Sequence, residues 1–434
     1  MRREVIYCVL SSLAVGSVTA LAFATRYGVL QAAPVFGVDT LSLLFILNIC
    51  LVSVAASVAS LKYISIYSRG SPGAYFASLS VFAVSMALIP MVRNWLYFLF
   101  LWEVMTLSSY VLIIYGYGGE SLKAGRDYFI VMHLLDTTPL ILMVAFLKVS
   151  TGTFAFTGYS VLRDAVLITA LIGFGTKAGL FPLHFWLPEA HPAAPSPVSA
   201  MLSGTMVELG VYGLFRVTQL STAGIPTYYP WLLAALGVLS MVSAMLMYAV
   251  QGDVKRLFAW STIDNIGWMT VVLTCSLLGF GKAAATLLGL YVLCHGLAKA
   301  SAFISSGGMI YVLGTKELGR AKGMLTACPT LSYLMLFSMM ALEGVPPFNL
   351  FLSRLSVLET AFKVHPALAV FAAVEWCVAF IIFLSIIHKY LLTSGGEGVR
   401  ALRSLPASIT GATSFLLIAS LLVYPVMASA GVLG

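Results

Sequence analysis

Apolar residues fill this chain in blocks of about twenty, neither alternating as in a half-buried strand nor confined to one stripe as on a surface helix. A helix of about 20 residues crosses the hydrocarbon layer of a bilayer. The blocks predict helices near 5–25, 39–65, 73–92, 95–115, 127–149, 162–190, 196–217, 230–250, 255–277, 283–313, 325–363, 367–391 and 408–429. Connections are short, the longest near 150–161 and 392–407. Proline interrupts two blocks, at Pro182 in 162–190 and at Pro346-Pro347 in 325–363. It has no N–H to donate and its ring clashes with the carbonyl four residues back, which for Pro182 is Ala178. Irregular backbone at membrane depth is tolerated only inside protein or along a wet cavity. The pattern predicts an all-α polytopic membrane protein of about 13 transmembrane helices, two of them discontinuous, in a single membrane domain over 1–434.

The count turns on 325–363, which is either two spans or one interrupted helix. Cytoplasmic loops collect Lys and Arg. With Lys177, Lys299 and Arg354 set aside as intramembrane, a single crossing puts twice as many basic residues on the N-terminal side as opposite. Two crossings blur that asymmetry, so the single crossing is preferred, with the N-terminus cytoplasmic and the protein in the cell membrane. It also exposes a symmetry. Lys177 precedes Pro182 by five residues, whereas Arg354 follows the Pro346-Pro347 pair by seven. Reversed order at two interrupted helices is what inverted-topology repeats produce, here 73–217 and 230–391. The opening MRRE and the apolar run Val5 to Thr25 read as a retained first span, because the run exceeds the core of a signal peptide.

Composition agrees with this reading. Hydrophobic residues make up 60% of the chain and charged residues 9%, against roughly a quarter charged in a soluble domain. The net charge of +8 fits basic cytoplasmic loops, and no long basic run points to nucleic acid. Cys8, Cys50, Cys275, Cys294, Cys328 and Cys377 fall singly, so iron–sulfur, haem and zinc sites find no support. No glycine-rich phosphate loop or nucleophile elbow is present. No cofactor and no metal are expected.

The informative residues are charges where lipid should be, since such groups are expensive and mark ion paths. Lys177 lies deep in DAVLITALIGFGTKAGLFPLHFWLPEA, about fifteen residues from either end, too far to snorkel easily to a headgroup. Glu103, mid-span in NWLYFLFLWEVMTLSSYVLIIY, must be neutral or paired, and Lys177 is the natural partner. His133 and Asp136 are three apart, hence on one helix face, as a proton relay or a polar seam. Glu208 is mid-span in SAMLSGTMVELGVYG. His295 and Lys299 are one turn apart among small residues in YVLCHGLAKASAFISSGG, where an imidazole and an amine can pass a proton. Asp264 and Glu375 are further intramembrane acids. Acids, amines and imidazoles spread over several spans suit a file of interacting proton sites, unlike the single-sign ring of a channel.

KAGLFPLHFWLPEAHPAAPSPVSA, DVKRLFAWSTIDNIG, HGLAKASAFISSGG, GVPPFNLFLSR and the pair Trp102-Glu103 resemble the antiporter-like membrane subunits shared by respiratory complex I, Mrp-type sodium/proton antiporters and membrane-bound group 4 hydrogenases. The resemblance runs from about residue 39 to 391, and PEAHPAAPSPVSA with IDNIG is most similar to the hydrogenase-4 and formate-hydrogenlyase branch. It implies that Glu103 pairs with Lys177, that Lys299 is the central connecting lysine with His295 one turn before it, and that Arg354 stands where the family carries Lys or Glu. Two departures follow. Glu208 replaces a lysine in the M-x-K-x-G-x-Y pattern, which reverses the sign of its coupling to Lys177. Arg354 effectively never deprotonates, so proton exit needs another group, with Glu343 and Glu359 as candidates. Against the fourteen helices usual in the family, one is missing at the N-terminus and no long lateral C-terminal helix follows.

These readings lead to the expectation of a proton-translocating subunit of a membrane-bound oxidoreductase, carrying H+ with Na+ as the alternative ion. Its partners would be other membrane subunits of a respiratory or hydrogenase complex, and the lipid bilayer. A multi-subunit cation/proton antiporter with the same sites is the second expectation. A non-pumping scaffold is the third.

Overall fold

A computed structural model describes residues 2–29, 35–67, 70–392 and 401–429. Among the described residues β-pairing is limited to isolated bridges such as Phe36–Val92, and the chain is an all-α membrane protein. In order the helices are α1 (Arg2–Arg26), α2 (Thr40–Tyr63), α3 (Pro72–Leu88), α4 (Trp95–Ile113), α5 (Gly119–Val131), α6 (Thr138–Thr151), α7 (Arg163–Ala178), α8 (Leu187–Ala193) and α9 (Ser196–Met201). There follow α10 (Val207–Gln219), α11 (Tyr228–Tyr248), α12 (Val254–Cys275), α13 (Gly281–Leu313), α14 (Met324–Ala327), α15 (Pro329–Leu342), α16 (Leu350–Val364), α17 (Pro366–Ile386) and α18 (Ala407–Ser429). Wider π-helical turns at Met132–Thr137 and Leu202–Met206 join α5 to α6 and α9 to α10. With those joints counted as continuous, 11 helices among the described residues are long and apolar enough to cross a bilayer. The span expected at 127–149 begins earlier, at Gly119, because its first turns are polar and apolar patterning does not register them. Of the loop expected near 392–407, residues 393–400 lie outside the described residues.

Both expected breaks are present. Helix α7 stops at Ala178, four residues before Pro182, and Gly179 turns the chain at φ +72°. A Cβ there would come within 2.6 Å of Leu187 Cδ1, a side-chain tip that can swing aside, so it is the positive φ that favours glycine. Helix α15 stops at Leu342, and the chain resumes helical form at Leu350 after Pro346-Pro347. The Phe181–Pro182 and Pro346–Pro347 peptide bonds are cis.

Burial sorts the helices into a core and a lipid-facing shell. The apolar window of Ser196–Gln219 is wholly buried and that of Ala283–Leu313 is 94% buried, against 28% for α1 and 33% for the window on α17. Large apolar side chains such as Leu13, Phe100 and Ile381 face outward from the shell. The two core helices touch backbone to backbone. A Cβ on Gly204 would lie 2.8 Å from the Gly296 carbonyl oxygen, so only glycine lets the π turn before α10 rest on α13.

Asp39 ties the start of α2 to the end of α10. Its carboxylate accepts the Ser42 N–H at 2.8 Å as an N-cap and meets Arg216 at 2.6 Å and Arg93 at 3.6 Å. Burial would raise this carboxyl, but the hydrogen-bonded Arg216 guanidinium, the Ser42 N–H and Arg93 outweigh it and hold the group down at about 2. A depressed value means that the ionised form stabilises the fold above the group's ordinary value of 3.8 and loses that contribution as pH falls through about 2. Asp39→Ala should lower stability by about 1 kcal/mol at neutral pH, as loss of a cap does. Thermal unfolding of the detergent-solubilised chain measures this, and the gap to wild type should narrow as pH drops from about 4 to about 2. A gap unchanged over that range rules out the ionic contribution.

Candidate functional site

Three groups of buried ionisable side chains follow one another through the fold. The first is centred on Lys177, in the last turn of α7, where the carbonyl end of the half-helix favours a cation. Its Nζ lies 2.9 Å from Asp136 Oδ2, and both side chains are fully buried. The amine also donates to Thr106 Oγ1 at 2.7 Å and stands over the rings of Trp102 and Tyr128. Trp102 Nε1 donates to Asp136 at 3.0 Å, so the acid is held from two sides.

This corrects the expected Glu103–Lys177 pair, because Asp136 is the direct partner of Lys177. Glu103 instead meets His133 Nε2 at 2.9 Å and accepts from Thr137 Oγ1 at 2.9 Å, and its side chain is 29% exposed. The expectation that His133 and Asp136 share a face fails for a physical reason. Both sit in the π turn Met132–Thr137, whose wider pitch takes residues three apart out of alignment. Asp136 points into the core and His133 to its edge. His133 Nδ1 lies 2.8 Å from the Phe129 carbonyl, which only accepts, so Nδ1 carries a hydrogen. Nε2 and Glu103 then share one further proton between them.

The second group lies where α10 and α13 touch. Glu208 Oε1 is 2.7 Å from His295 Nδ1, and Glu208 Oε2 accepts from Asn48 Nδ2 at 2.7 Å. Asn48 also donates to the Gly204 carbonyl, which fixes its amide. His295 Nε2 has no hydrogen-bond partner among the described residues. One turn on, Lys299 Nζ donates to Ser261 Oγ at 2.8 Å and to the Phe258 carbonyl at 3.2 Å. Among the described residues no carboxylate is in ion-pair contact with it, although Glu208, Asp264 and Glu343 act on it through space. Glu208, His295 and Lys299 are all fully buried.

The third group surrounds Arg354 on α16, which is fully buried with its guanidinium 5.1 Å from the Trp268 ring centroid and 5.5 Å from that of Trp376, two indoles set nearly perpendicular to each other. Arg354 donates to the Glu343 carbonyl at 3.3 Å and to Asn265 Oδ1 at 3.4 Å. Asp264 on α12 lies 3.6 Å from its guanidinium, and Glu343, at the C-terminal end of α15, lies 3.9 Å away. Glu375 on α17 accepts from Trp268 Nε1 at 3.1 Å. Glu359 is not part of this group. It is exposed on the surface and paired with Lys363 at 2.6 Å, because it sits on the outer face of α16.

Several participants carry no charge or proline signal in an isolated sequence. Asn48 is a single amide in an apolar run, and Trp102, Thr106 and Trp268 are ordinary transmembrane residues until their partners are known. His191, in α8 after the first break, is fully buried against Phe303, and neither ring nitrogen has a hydrogen-bond partner among the described residues. It faces the buried amines Lys255 and Lys299 through space, and its place inside a quoted motif was the available signal. Among the described residues no cluster of three or more His, Cys, Asp or Glu is disposed to hold a metal ion.

A polytopic helical protein with two broken helices, each with a buried cation beside its break, has the build of an antiporter-like membrane subunit. Residues 92–381 match the family described as NADH:quinone oxidoreductase/Mrp antiporter, TM, and the chain belongs to that family. It is 32% identical to hydrogenase-4 component B of Escherichia coli (strain K12) over 349 residues, covering 76% of this chain and 52% of that protein. The chain thus spans about half the length of this curated relative. The fold is similar to a chain in the Mrp complex from Dietzia sp. DQ12-45-1b, with a TM-score of 0.85 at 20% identity over 99% of this chain and 91% of that one. It is also similar to a chain of respiratory complex I from Thermus thermophilus, with a TM-score of 0.78 at 24% identity over 98% and 93%.

Removing one partner of a buried ion pair costs about 3–5 kcal/mol, because the remaining charge is stranded. Asp136→Asn should therefore destabilise the chain by that order. The double variant Asp136→Asn/Lys177→Met should recover part of the loss. Glu103→Gln, at a partly exposed site, should cost about 1 kcal/mol or less. Unfolding of the full chain in detergent compares the three, and equal losses for Asp136→Asn and Glu103→Gln would contradict the assigned pairing.

Proposed function

We propose that the chain is a proton-translocating subunit of a membrane-bound oxidoreductase complex, with the redox chemistry on its partners. The observation that carries this reading is the burial of Lys177, Asp136, Glu208, His295, Lys299 and Arg354 at full or near-full depth in three neighbouring groups. Structural polar seams do not need amines without carboxylate partners, and Lys299 is such an amine. The hydrogenase-4 relative and the family of NADH:quinone oxidoreductase and Mrp subunits support a place beside other membrane subunits. The working order is thirteen crossings, with α7–α8 and α15–α16 each taken as one, the N-terminus cytoplasmic in the cell membrane, and inverted repeats over 73–217 and 230–391.

The chemistry starts at the Asp136–Lys177 pair. As long as the carboxylate is ionised, 2.9 Å away, the amine keeps its proton. A charge or movement delivered by a neighbouring subunit at the partly exposed Glu103–His133 pair changes the field on Asp136 and loosens that hold. The proton released by Lys177 is taken by the Glu208–His295 pair, which already shares a hydrogen across 2.7 Å. His295 Nε2 is then the free nitrogen through which it passes toward Lys299. Tyr128 bridges the first two groups, with its ring against Lys177 and its hydroxyl 3.7 Å from Met206 Sδ in the second π turn.

Lys177→Ala in the assembled complex should abolish proton pumping into inverted membrane vesicles while the subunits still copurify. Glu208→Gln should do the same. Full pumping and unimpaired growth with Lys177→Ala would end this assignment.

A further inference from the structure

The group around Arg354 has an unbalanced charge. One guanidinium, permanently protonated, faces three acids from three different helical segments: Asp264, Glu343 and Glu375. All are buried, at 0%, 1% and 2% exposure. Were all three ionised, the cluster would carry two uncompensated negative charges away from water, which is far costlier than keeping protons on the acids. The arginine's contacts with the carboxylates are also loose, its closer bonds going to the Glu343 carbonyl and Asn265 Oδ1. At 3.6 and 3.9 Å the carboxylate contacts exceed the roughly 2.7–2.9 Å of a charge-assisted hydrogen bond. Both oxygens of Asp264, both of Glu343 and one of Glu375 have no hydrogen-bond partner among the described residues.

Two further features adjoin this cluster. Tyr248, at the end of α11, is buried with its hydroxyl unpartnered among the described residues, and it faces all three acids and Arg354. A cavity of about 250 Å³ opens beside the second helix break, lined by Glu343 and Pro346 on one side and Trp376, Cys377 and Phe380 of α17 on the other. Cys377 is exposed at mid-span on the lipid-facing helix α17, so the cavity opens toward the outer face of the bundle. Glu343 is the acid shared by cluster and cavity. On the inner side Lys299 faces both Glu343 and Asp264, and Tyr291, bonded to Asn265 at 2.9 Å, closes the wall.

We infer that Asp264, Glu343 and Glu375 form a shared proton store around Arg354, and that Glu343, at the second break, is the group that discharges it. Arg354 itself carries no proton in transit. It is a positioning residue, packed against Trp268 and Trp376, whose fixed charge keeps one carboxylate of the three ionised and so able to accept. The Lys299 ammonium gives a proton to that carboxylate, which breaks an N–H bond, forms an O–H bond and leaves a neutral amine. The Glu343 carboxyl then releases a proton to water at the second break and becomes a carboxylate again. Each step moves one proton and conserves charge. This rests on the proton-carrying reading of the chain.

Infrared spectra of the full chain in lipid vesicles, taken in H2O and D2O at neutral pH, test the store directly. Wild type should show the C=O stretch of protonated carboxyl groups with a deuterium shift. Glu343→Gln, Asp264→Asn and Glu375→Gln should each diminish or displace that band, and each should perturb what remains of the others. Arg354→Met should intensify it. A band indifferent to all three acid substitutions overturns the store, whatever the complex pumps. In the assembled complex, Glu343→Gln should abolish pumping with assembly intact, and Glu343→Asp should restore part of it. Glu359→Gln, on the outer surface, should pump as wild type. If Lys177→Ala is inactive but Glu343→Gln pumps at the wild-type rate, Glu343 is not the discharging group and the inference fails while the wider function stands. If wild type itself moves no protons, that wider function falls, and the infrared band alone decides whether the acids share protons.

Discussion

An ion without a partner cannot be left in hydrocarbon, and much of this structure follows from meeting that constraint repeatedly. Each deeply buried charge is answered in a different way. Lys177 is matched by Asp136, a hydroxyl and two aromatic faces. Lys299 is held by a serine and a backbone carbonyl, with its acids at a distance. Arg354 is held by two indoles, the Glu343 carbonyl and the Asn265 amide oxygen, with its acids standing slightly too far away. The progression runs from a tight ion pair to a loosely compensated cluster. A path along which a charge must move needs partners strong enough to admit it and weak enough to let it go.

The backbone is shaped to the same end. Regular helices would leave no room for polar groups to converge, and every group described above lies beside an irregularity. Lys177 ends a half-helix, and Asp136 sits in one π turn. Glu208 follows another π turn, and Glu343 lies at the second break. The glycine contact between Gly204 and Gly296 brings α10 and α13 close enough for Glu208 to reach His295.

Much of this was legible in the sequence, for identifiable reasons. Block length and proline position fixed the helical membrane class and both breaks, because bilayer thickness and the missing proline N–H act locally. Lys177, Glu208, His295, Lys299 and Arg354 stood out because ionisable residues in apolar runs are rare, and all five are buried. Pairing was less accessible. Glu103 was matched to Lys177, yet Asp136 takes that place, since a π turn re-aims side chains without changing residue spacing. Glu359 looked as central as Glu343, because a sequence gives a residue's position along a helix but not the direction that helix faces in the bundle. Asn48 left no trace at all, since an amide acquires meaning only from what it touches.

The setting of Arg354 has a consequence for how this corner of the bundle bears substitution. A guanidinium is flat and donates along several directions in its plane, whereas an ammonium is compact and round. Exchanging the ion at position 354 would take from Trp268 and Trp376 the group both of them pack on, and each of those rings also steadies an acid segment, Trp268 through Glu375 and Trp376 through the Glu343 carbonyl. The arginine, the two tryptophans and the acids therefore behave as one mechanical unit, in which a change at any member is felt by the rest.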